Sequence, residues 1–139
     1  MLRRAILVLP MVFGCSNGSG DNRGSGAAGA GFEGDVSFAT TVRPLFVQSC
    51  SCHQTDPLMA PFSLKVAEAY ANTVGGRSIE LPSMPLVDPG HLNNRYLWHK
   101  VNGTQREVAG TGDIMPPNVP LFPNELRIIE RWIVAGAPP

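Results

Sequence analysis

Two cysteines and a histidine lie within four residues of one another, in the stretch Cys50-Ser51-Cys52-His53. The chain has three cysteines in all, and the third, Cys15, lies near the N-terminus in a different kind of segment. Two thiols separated by one residue cannot form a disulfide framework spread through a domain, so an apolar core has to hold the fold together. The sequence therefore concentrates its chemistry at one point.

The first 14 residues are typical of a secretory signal peptide of the lipoprotein type. Arg3 and Arg4 form a short basic start, and residues 5–13 are apolar but too few to span a bilayer. The sequence VFGC that follows resembles a bacterial lipobox, which implies that Cys15 is lipidated and becomes the first residue of the mature protein. An ordinary signal peptide with an incidental cysteine is the alternative, and both interpretations predict export.

Residues 15–34 connect the signal peptide to the predicted domain. They are mainly Gly, Ser, Ala and Asn, which bury too little apolar surface to offset the entropy of ordering. We interpret them as a lipidated cysteine and a flexible linker, followed by one folded domain at residues 35–139. By the same lipoprotein resemblance, Ser16 after the cysteine favours the outer membrane. We therefore expect the domain at the periplasmic face of a bacterial membrane, or at the cell surface.

The charge of the chain argues against one class of partner. The sequence contains 11 basic and 11 acidic residues, and loss of Arg3 and Arg4 with the signal peptide leaves the mature chain slightly acidic. The sequence has no basic stripe and no interleaving of aromatic with basic residues, so nucleic-acid binding is unsupported.

Hydrophobic periodicity predicts an all-α domain of about four helices, with no convincing strand. Each helix has an expected N-cap: Ser37 for residues 37–49, Ser63 for 63–73, an asparagine for 93–103 and Asn124 for 124–136. Pro44 should kink or divide the first helix. The loops at 79–90 and 104–123 are rich in Pro and Gly, and loops this long in a small domain are usually functional.

The order of four segments resembles the class I cytochrome c fold. These segments are VRPLFVQSCSCH (42–53), VDPGHLNNRYLWHKVNG (87–103), GTGDIMPP (110–117) and NELRIIERWIVAGAP (124–138). The resemblance is greatest to small cytochrome c-like domains of exported bacterial proteins, many of which are lipoproteins. It implies a small all-α fold in which long Pro- and Gly-rich loops wrap around one haem c.

The resemblance also implies a role for each site residue. Cys52 would form a thioether to a haem vinyl group, His53 would be the proximal iron ligand, and Met115 would be the distal ligand. Met84, which is also followed by a proline, is the alternative distal ligand. Methionine opposite histidine raises the reduction potential and keeps oxygen away from the iron.

The cysteine spacing departs from the usual C-x-x-C-H attachment motif, because Ser49 stands where the first cysteine belongs. On a continuous helix, Cys50 and Cys52 would be about 200° apart, so their sulfurs would point away from each other. We therefore predict one thioether, at Cys52, and treat Cys50 as a doubtful second link.

These expectations describe a membrane-anchored monohaem c-type cytochrome, a one-electron carrier rather than an enzyme. Its partners would be redox proteins, and we expect a monomer. Two alternatives stay open from the sequence. Cys50, Cys52 and His53 could instead chelate copper or zinc, with His91 or His99 as a fourth zinc ligand. The scaffold could also be an interaction domain that has lost its haem.

Membrane anchoring can be tested at Cys15. Replacing Cys15 with Ser removes the atom that would carry the lipid, so we expect the protein to move from the membrane fraction to the soluble periplasmic fraction. Immunoblots of fractionated cells measure this distribution. Continued partitioning of the variant with membranes would contradict the lipoprotein interpretation.

Overall fold

The computed structural model describes residues 35–58 and 61–139, so the predicted signal peptide, Cys15 and the linker lie outside the described residues. The described residues all belong to one unit, 34–139. They contain helices and turns but no strand, apart from a single antiparallel bridge between Arg77 and Pro85. The described part of the chain is thus all-α, as predicted. None of its helices is long and apolar enough to cross a membrane.

The first helical segment is divided, as Pro44 suggested. A π-helical turn, Phe38–Val42, leads directly into helix α1, Arg43–Ser49. Ser37 is the N-cap, and its hydroxyl oxygen accepts a hydrogen bond from the Thr40 N–H at 3.2 Å. Pro44 lies in the first turn of α1, where its missing N–H costs little.

Helix α2 is shorter than expected. It covers Ala69–Val74, so the prediction that it begins behind a Ser63 cap is wrong. The segment before it is held in a non-helical conformation by contacts distant in sequence. The Leu64 N–H donates to the His53 carbonyl at 2.7 Å, and the Asn72 side chain donates to the Ser63 carbonyl at 2.8 Å. Tertiary hydrogen bonds thus outweigh a helix propensity of a few tenths of a kcal/mol per residue.

Helices α3 and α4 lie where the periodicity placed them. Helix α3 covers Tyr96–Asn102 and ends at Gly103, whose φ of 77° favours glycine. Its N-cap position is Arg95 rather than an asparagine. Helix α4 covers Pro123–Val134, and its N-cap position is Phe122, so the prediction of Asn124 as the N-cap is wrong. The Glu125 carboxylate accepts from the Phe122 N–H at 2.7 Å at its start.

The core joins the two ends of the domain. The buried face of α4, which includes Ile129, Trp132 and Ile133, is fully inaccessible to solvent. Phe38 packs on Trp132 with ring centroids 5.6 Å apart. The Phe38 N–H and the Trp132 indole N–H both donate to the Pro138 carbonyl, at 2.9 and 2.8 Å. Burial of each large apolar side chain contributes about 1.5–3 kcal/mol to the stability of the folded state. The same junction fixes the start of the first helical segment, and thereby the place where helix α1 ends.

Candidate functional site

A cavity of about 210 Å³ lies where the end of α1, helix α3 and the long loops meet. Its wall is mainly apolar, with one acid and two basic side chains. The lining residues are Phe46, Cys50, His53, Pro61, Phe62, Leu64, Arg77, Ser78, Ile79, Glu80, Leu86, Tyr96, Leu97, Lys100, Val101 and Met115. A more open cavity of about 520 Å³ shares Pro61, Phe62, Arg77 and Ile79 with it. A partly open, mainly apolar wall with a few polar groups has the composition of a small-molecule site.

Three of the residues singled out in the sequence lie on the wall of the smaller cavity. They are Cys50, His53 and Met115, which come from opposite ends of the domain sequence. Cys52 is exposed, and it is not part of this wall. Met84 packs against the hydrophobic core instead of lining the cavity. The fold therefore brings one histidine and one methionine to the same apolar space.

His53 is held in a defined orientation. It ends a 3₁₀ turn, Ser51–His53, and its Nδ1 lies 3.1 Å from the carbonyl oxygen of Phe62. A carbonyl can only accept, so Nδ1 carries the proton and donates it. The other ring nitrogen, Nε2, then keeps its lone pair. This is the tautomer that a metal ion requires, and a carbonyl partner on the far nitrogen is what metal-ligating histidines usually have.

The chain leaves the α-helical conformation at the cysteine pair. Helix α1 ends at Ser49, and Cys50 has φ −124° and ψ 34°. The side-chain amide of Gln54 donates to the Phe46 carbonyl at 2.9 Å, where the helix stops. Because the helix does not continue, the 200° separation expected of a regular α-helix does not describe this pair.

Cys50 and Cys52 differ strongly in environment. Cys50 is partly buried on the cavity wall, whereas Cys52 is exposed. Burial, with smaller contributions from Cys52 and Glu125, raises the pKa of the Cys50 thiol to about 12. Cys50 is therefore a thiol rather than a thiolate at neutral pH. The assignment of the thioether to Cys52 stays a prediction.

Met115 reaches the cavity on a loop that is anchored to α3. Its backbone N–H donates to the Lys100 carbonyl at 2.9 Å, just after the segment 110–114 passes along the helix. The side chain is half-buried on the cavity wall. The thioether sulfur of methionine is a soft ligand that suits iron in haem and Cu(I).

The sequence did not predict a partly buried cluster of polar side chains in the cavity wall. Glu80, Tyr96 and Lys100, which we call the Glu80 cluster, all line the cavity. Lys100 Nζ lies 2.7 and 2.5 Å from the two oxygens of Glu80, and the Tyr96 hydroxyl lies 2.6 Å from Oε2. Burial, followed by the bond to Glu80, raises the pKa of Tyr96 to about 12. A lysine one turn after a tyrosine on the apolar face of α3 was the signal available in the sequence.

The ligands required for a zinc chelate are not brought together. The described residues contain no group of three or more His, Cys, Asp or Glu side chains able to hold a metal ion. His91 is exposed beside Asp88, at 3.3 Å, and Nδ1 of His99 lies 2.9 Å from the Thr104 hydroxyl.

Arg95 is buried close to the site but belongs to another part of the core. It is fully buried, and its three guanidinium nitrogens have no hydrogen-bond partner among the described residues. Its guanidinium carbon, Cζ, lies 5.9 Å from the centroid of the Trp98 ring. Arg95 lines neither of the two cavities. Burial lowers its pKa to about 10, while Glu130 and Asp88 act in the opposite direction. We therefore do not include it in the site.

No family model, curated protein or solved structure matches this chain. The function has to be argued from the chemistry of the cavity itself, because fold class alone does not specify activity.

The different environments of Cys50 and Cys52 predict different reactivity in the cofactor-free protein. Thiolates displace iodide from iodoacetamide, so at pH 8 we expect exposed Cys52 to be alkylated at least about 100-fold faster than Cys50, whose burial and high pKa both protect it. Peptide mass mapping over time measures each rate separately. Urea-unfolded protein is the control, in which the two rates should converge. Equal rates in the folded protein would contradict the burial of Cys50.

Proposed function

We propose that this domain binds one haem c in the smaller cavity and acts as a one-electron carrier, a membrane-anchored monohaem c-type cytochrome without enzymatic activity of its own. One observation carries the proposal. His53, with its Nδ1 bonded to the Phe62 carbonyl, lies on the wall of the same apolar cavity as Met115. Neutral imidazole and thioether are the ligand pair of electron-transferring haem proteins.

The donor set and the cavity fit a haem in three respects. The wall is mainly apolar, His53 has the tautomer that leaves Nε2 able to ligate, and the second ligand is a soft sulfur. The cavity is smaller than the 300–1,000 Å³ of typical small-molecule pockets, so a group as large as a porphyrin would extend beyond its walls. When bound, haem supplies the one-electron ferric/ferrous couple. The protein supplies the two ligands and excludes water.

The arrangement of the helices supports a cytochrome c-like fold. The first helical segment packs on the last helix through Phe38 and Trp132. Helix α1 leads directly into the Cys-His stretch, and the Met115 loop precedes α4. A metal chelate or an interaction domain would not require this order. The copper or zinc alternative therefore has only the sequence of residues 50–53 in its favour.

A cysteine thiol next to His53 would attach the haem covalently. A thioether forms when the S–H of a cysteine adds across a haem vinyl group, so that sulfur bonds to one carbon, the proton goes to the other, and no oxidant is consumed. We propose Cys52 for this bond, since it directly precedes His53. Cys50 is a doubtful second link. It lies on the cavity wall, however, and therefore competes with Cys52 for the thioether bond.

We also propose redox proteins of the same compartment as partners, and attachment to the membrane through a lipid on Cys15. The sequence argues against nucleic acid as a partner, because it has no basic stripe.

The two methionines offer a matched test of the ligand assignment. In protein produced with cytochrome c maturation machinery, Met115→Ala should abolish the weak far-red absorption band of a methionine sulfur bonded to ferric haem. Met84→Ala should retain that band, because Met84 packs on the core and does not line the cavity. His53→Ala should prevent stable haem binding altogether. Loss of the band in Met84→Ala alone would contradict the assignment, and protein without any haem would refute the proposed function.

The number and position of thioethers can be measured by a reduced pyridine haemochrome spectrum. We expect the red-shifted band of a haem that keeps one vinyl group, and we expect that band in Cys50→Ser but no covalent haem in Cys52→Ser. The double variant Ser49→Cys/Cys50→Ser restores the usual spacing, so its band should move to the two-thioether position. Covalent haem that survives in Cys52→Ser and is lost in Cys50→Ser would transfer the link to Cys50.

A further inference from the structure

The Glu80 cluster contacts the backbone of the loop that carries Met115. Lys100 Nζ has three acceptors within reach: the two carboxylate oxygens of Glu80 and, at 3.2 Å, the carbonyl oxygen of Thr111. The Tyr96 hydroxyl lies 2.9 Å from the same carbonyl. An ammonium group has three N–H donors, so each donor of Lys100 has a partner. One of the three is directed at the loop.

Two glycines let the loop lie directly on this cluster. A Cβ atom at Gly110 would lie 2.4 Å from Tyr96 Cε2. At Gly112, which has a φ of +72°, it would lie 2.5 Å from Glu80 Oε1 and 2.6 Å from Lys100 Nζ. At Gly110 the clash is with an aromatic ring and a backbone carbonyl, so a side chain there would push the loop away. At Gly112 the ends of the Glu80 and Lys100 side chains would have to shift instead. The glycines on both sides of Thr111 are thus explained by the close approach of the loop to the cluster.

The loop is fixed again where Met115 begins. The Met115 N–H donates to the Lys100 carbonyl at 2.9 Å, and the Gln105 side-chain amide donates to the Gly112 carbonyl at 3.2 Å. One residue, Lys100, therefore binds the loop at Thr111 through its side chain and at Met115 through its backbone. Movement of the segment between these points is restricted from both ends.

The Glu80–Lys100 ion pair is only partly buried: the Lys100 side chain is 10% exposed and the Glu80 side chain 33%. Partly exposed ion pairs contribute little to stability, and burial of the ammonium group costs hydration, so the pair is not explained by stability alone. Directed N–H donors differ from apolar contacts in that they select one position of a carbonyl group. The buried Lys100 ammonium, 8% exposed, supplies such a donor to the Thr111 carbonyl.

We propose that the Glu80 cluster positions the loop that carries Met115, and so holds the Met115 side chain on the cavity wall. Glu80, Tyr96 and Lys100 act here as positioning residues and not as ligands. The inference rests on the proposed function only for what Met115 binds. The fixing of the loop is a property of the cofactor-free chain, which separates the two tests.

The first test uses hydrogen exchange of the cofactor-free, full-length chain, followed by NMR. The double variant Glu80→Leu/Lys100→Met removes both charges and leaves neither unpaired. We expect the Met115 amide to exchange at least about tenfold faster, while core amides of α4 such as Ile133 keep their rates. The control is Asp56→Leu/Lys65→Met, which removes an exposed ion pair of the same kind and should change neither.

A second variant covers the case in which the double replacement does not fold. Gly110→Ala leaves the Glu80–Lys100 pair in place, but its Cβ would lie 2.4 Å from the Tyr96 ring and 2.8 Å from the Gln105 carbonyl oxygen. The loop then has to move, so exchange at Met115 should also accelerate. Wild-type exchange at Met115 in folded Glu80→Leu/Lys100→Met, or in Gly110→Ala, would overturn the proposal.

The haem-loaded protein gives an independent readout. The far-red sulfur–iron band should weaken in Glu80→Leu/Lys100→Met and persist in Asp56→Leu/Lys65→Met. If the chain takes up no haem, the proposed function fails, and the exchange rate of Met115 still decides whether the cluster positions the loop. An undiminished band in the cluster variant, with haem bound, would count against a positioning role.

Discussion

The packing of the first helical segment on the last helix is the constraint from which the rest of the domain follows. Phe38 meets Trp132 across the core, and both residues donate an N–H to the same carbonyl, that of Pro138. The two ends of the domain are thereby joined in a region with no access to water. Because α1 is fixed at its start, the place where it ends is fixed as well. The Cys-His stretch follows directly from that end, at the rim of the cavity.

The hydrogen bonds that form the site shorten helix α2. The chain after His53 turns back, and the carbonyl of Phe62 accepts from the imidazole while the Leu64 N–H donates to the His53 carbonyl. These bonds hold residues 62–64 in a conformation that cannot belong to a helix. Helix α2 consequently begins only at Ala69. The two hydrogen bonds orient the one histidine on the cavity wall, which explains why the local helix preference of this segment is overridden.

The cavity combines an apolar wall with one compact polar group. Burial of the Lys100 ammonium is tolerated because each of its N–H donors has an acceptor. Glu80, whose side chain keeps some access to solvent, also accepts from the Tyr96 hydroxyl. The same atoms reach the loop that ends in Met115. A soft ligand on a loop needs such support, since methionine has three rotatable bonds and adapts readily to its surroundings.

Local spacing was enough to predict much of this protein. The helix faces, the Pro44 division, the Ser37 cap and the Gly103 stop depend on residues within one or two turns of each other, and the sequence displays those directly. The candidate residues Cys50, Cys52, His53, Met84 and Met115 came instead from the resemblance of four segments to the class I cytochrome c fold. Only the tertiary structure decided which of them share a cavity: Cys50, His53 and Met115 line it, whereas Cys52 and Met84 do not. The Glu80–Lys100 ion pair is also a product of the tertiary structure. Its two charges are twenty residues apart in the sequence, so long-range packing brings them into contact, and their spacing along one helix does not.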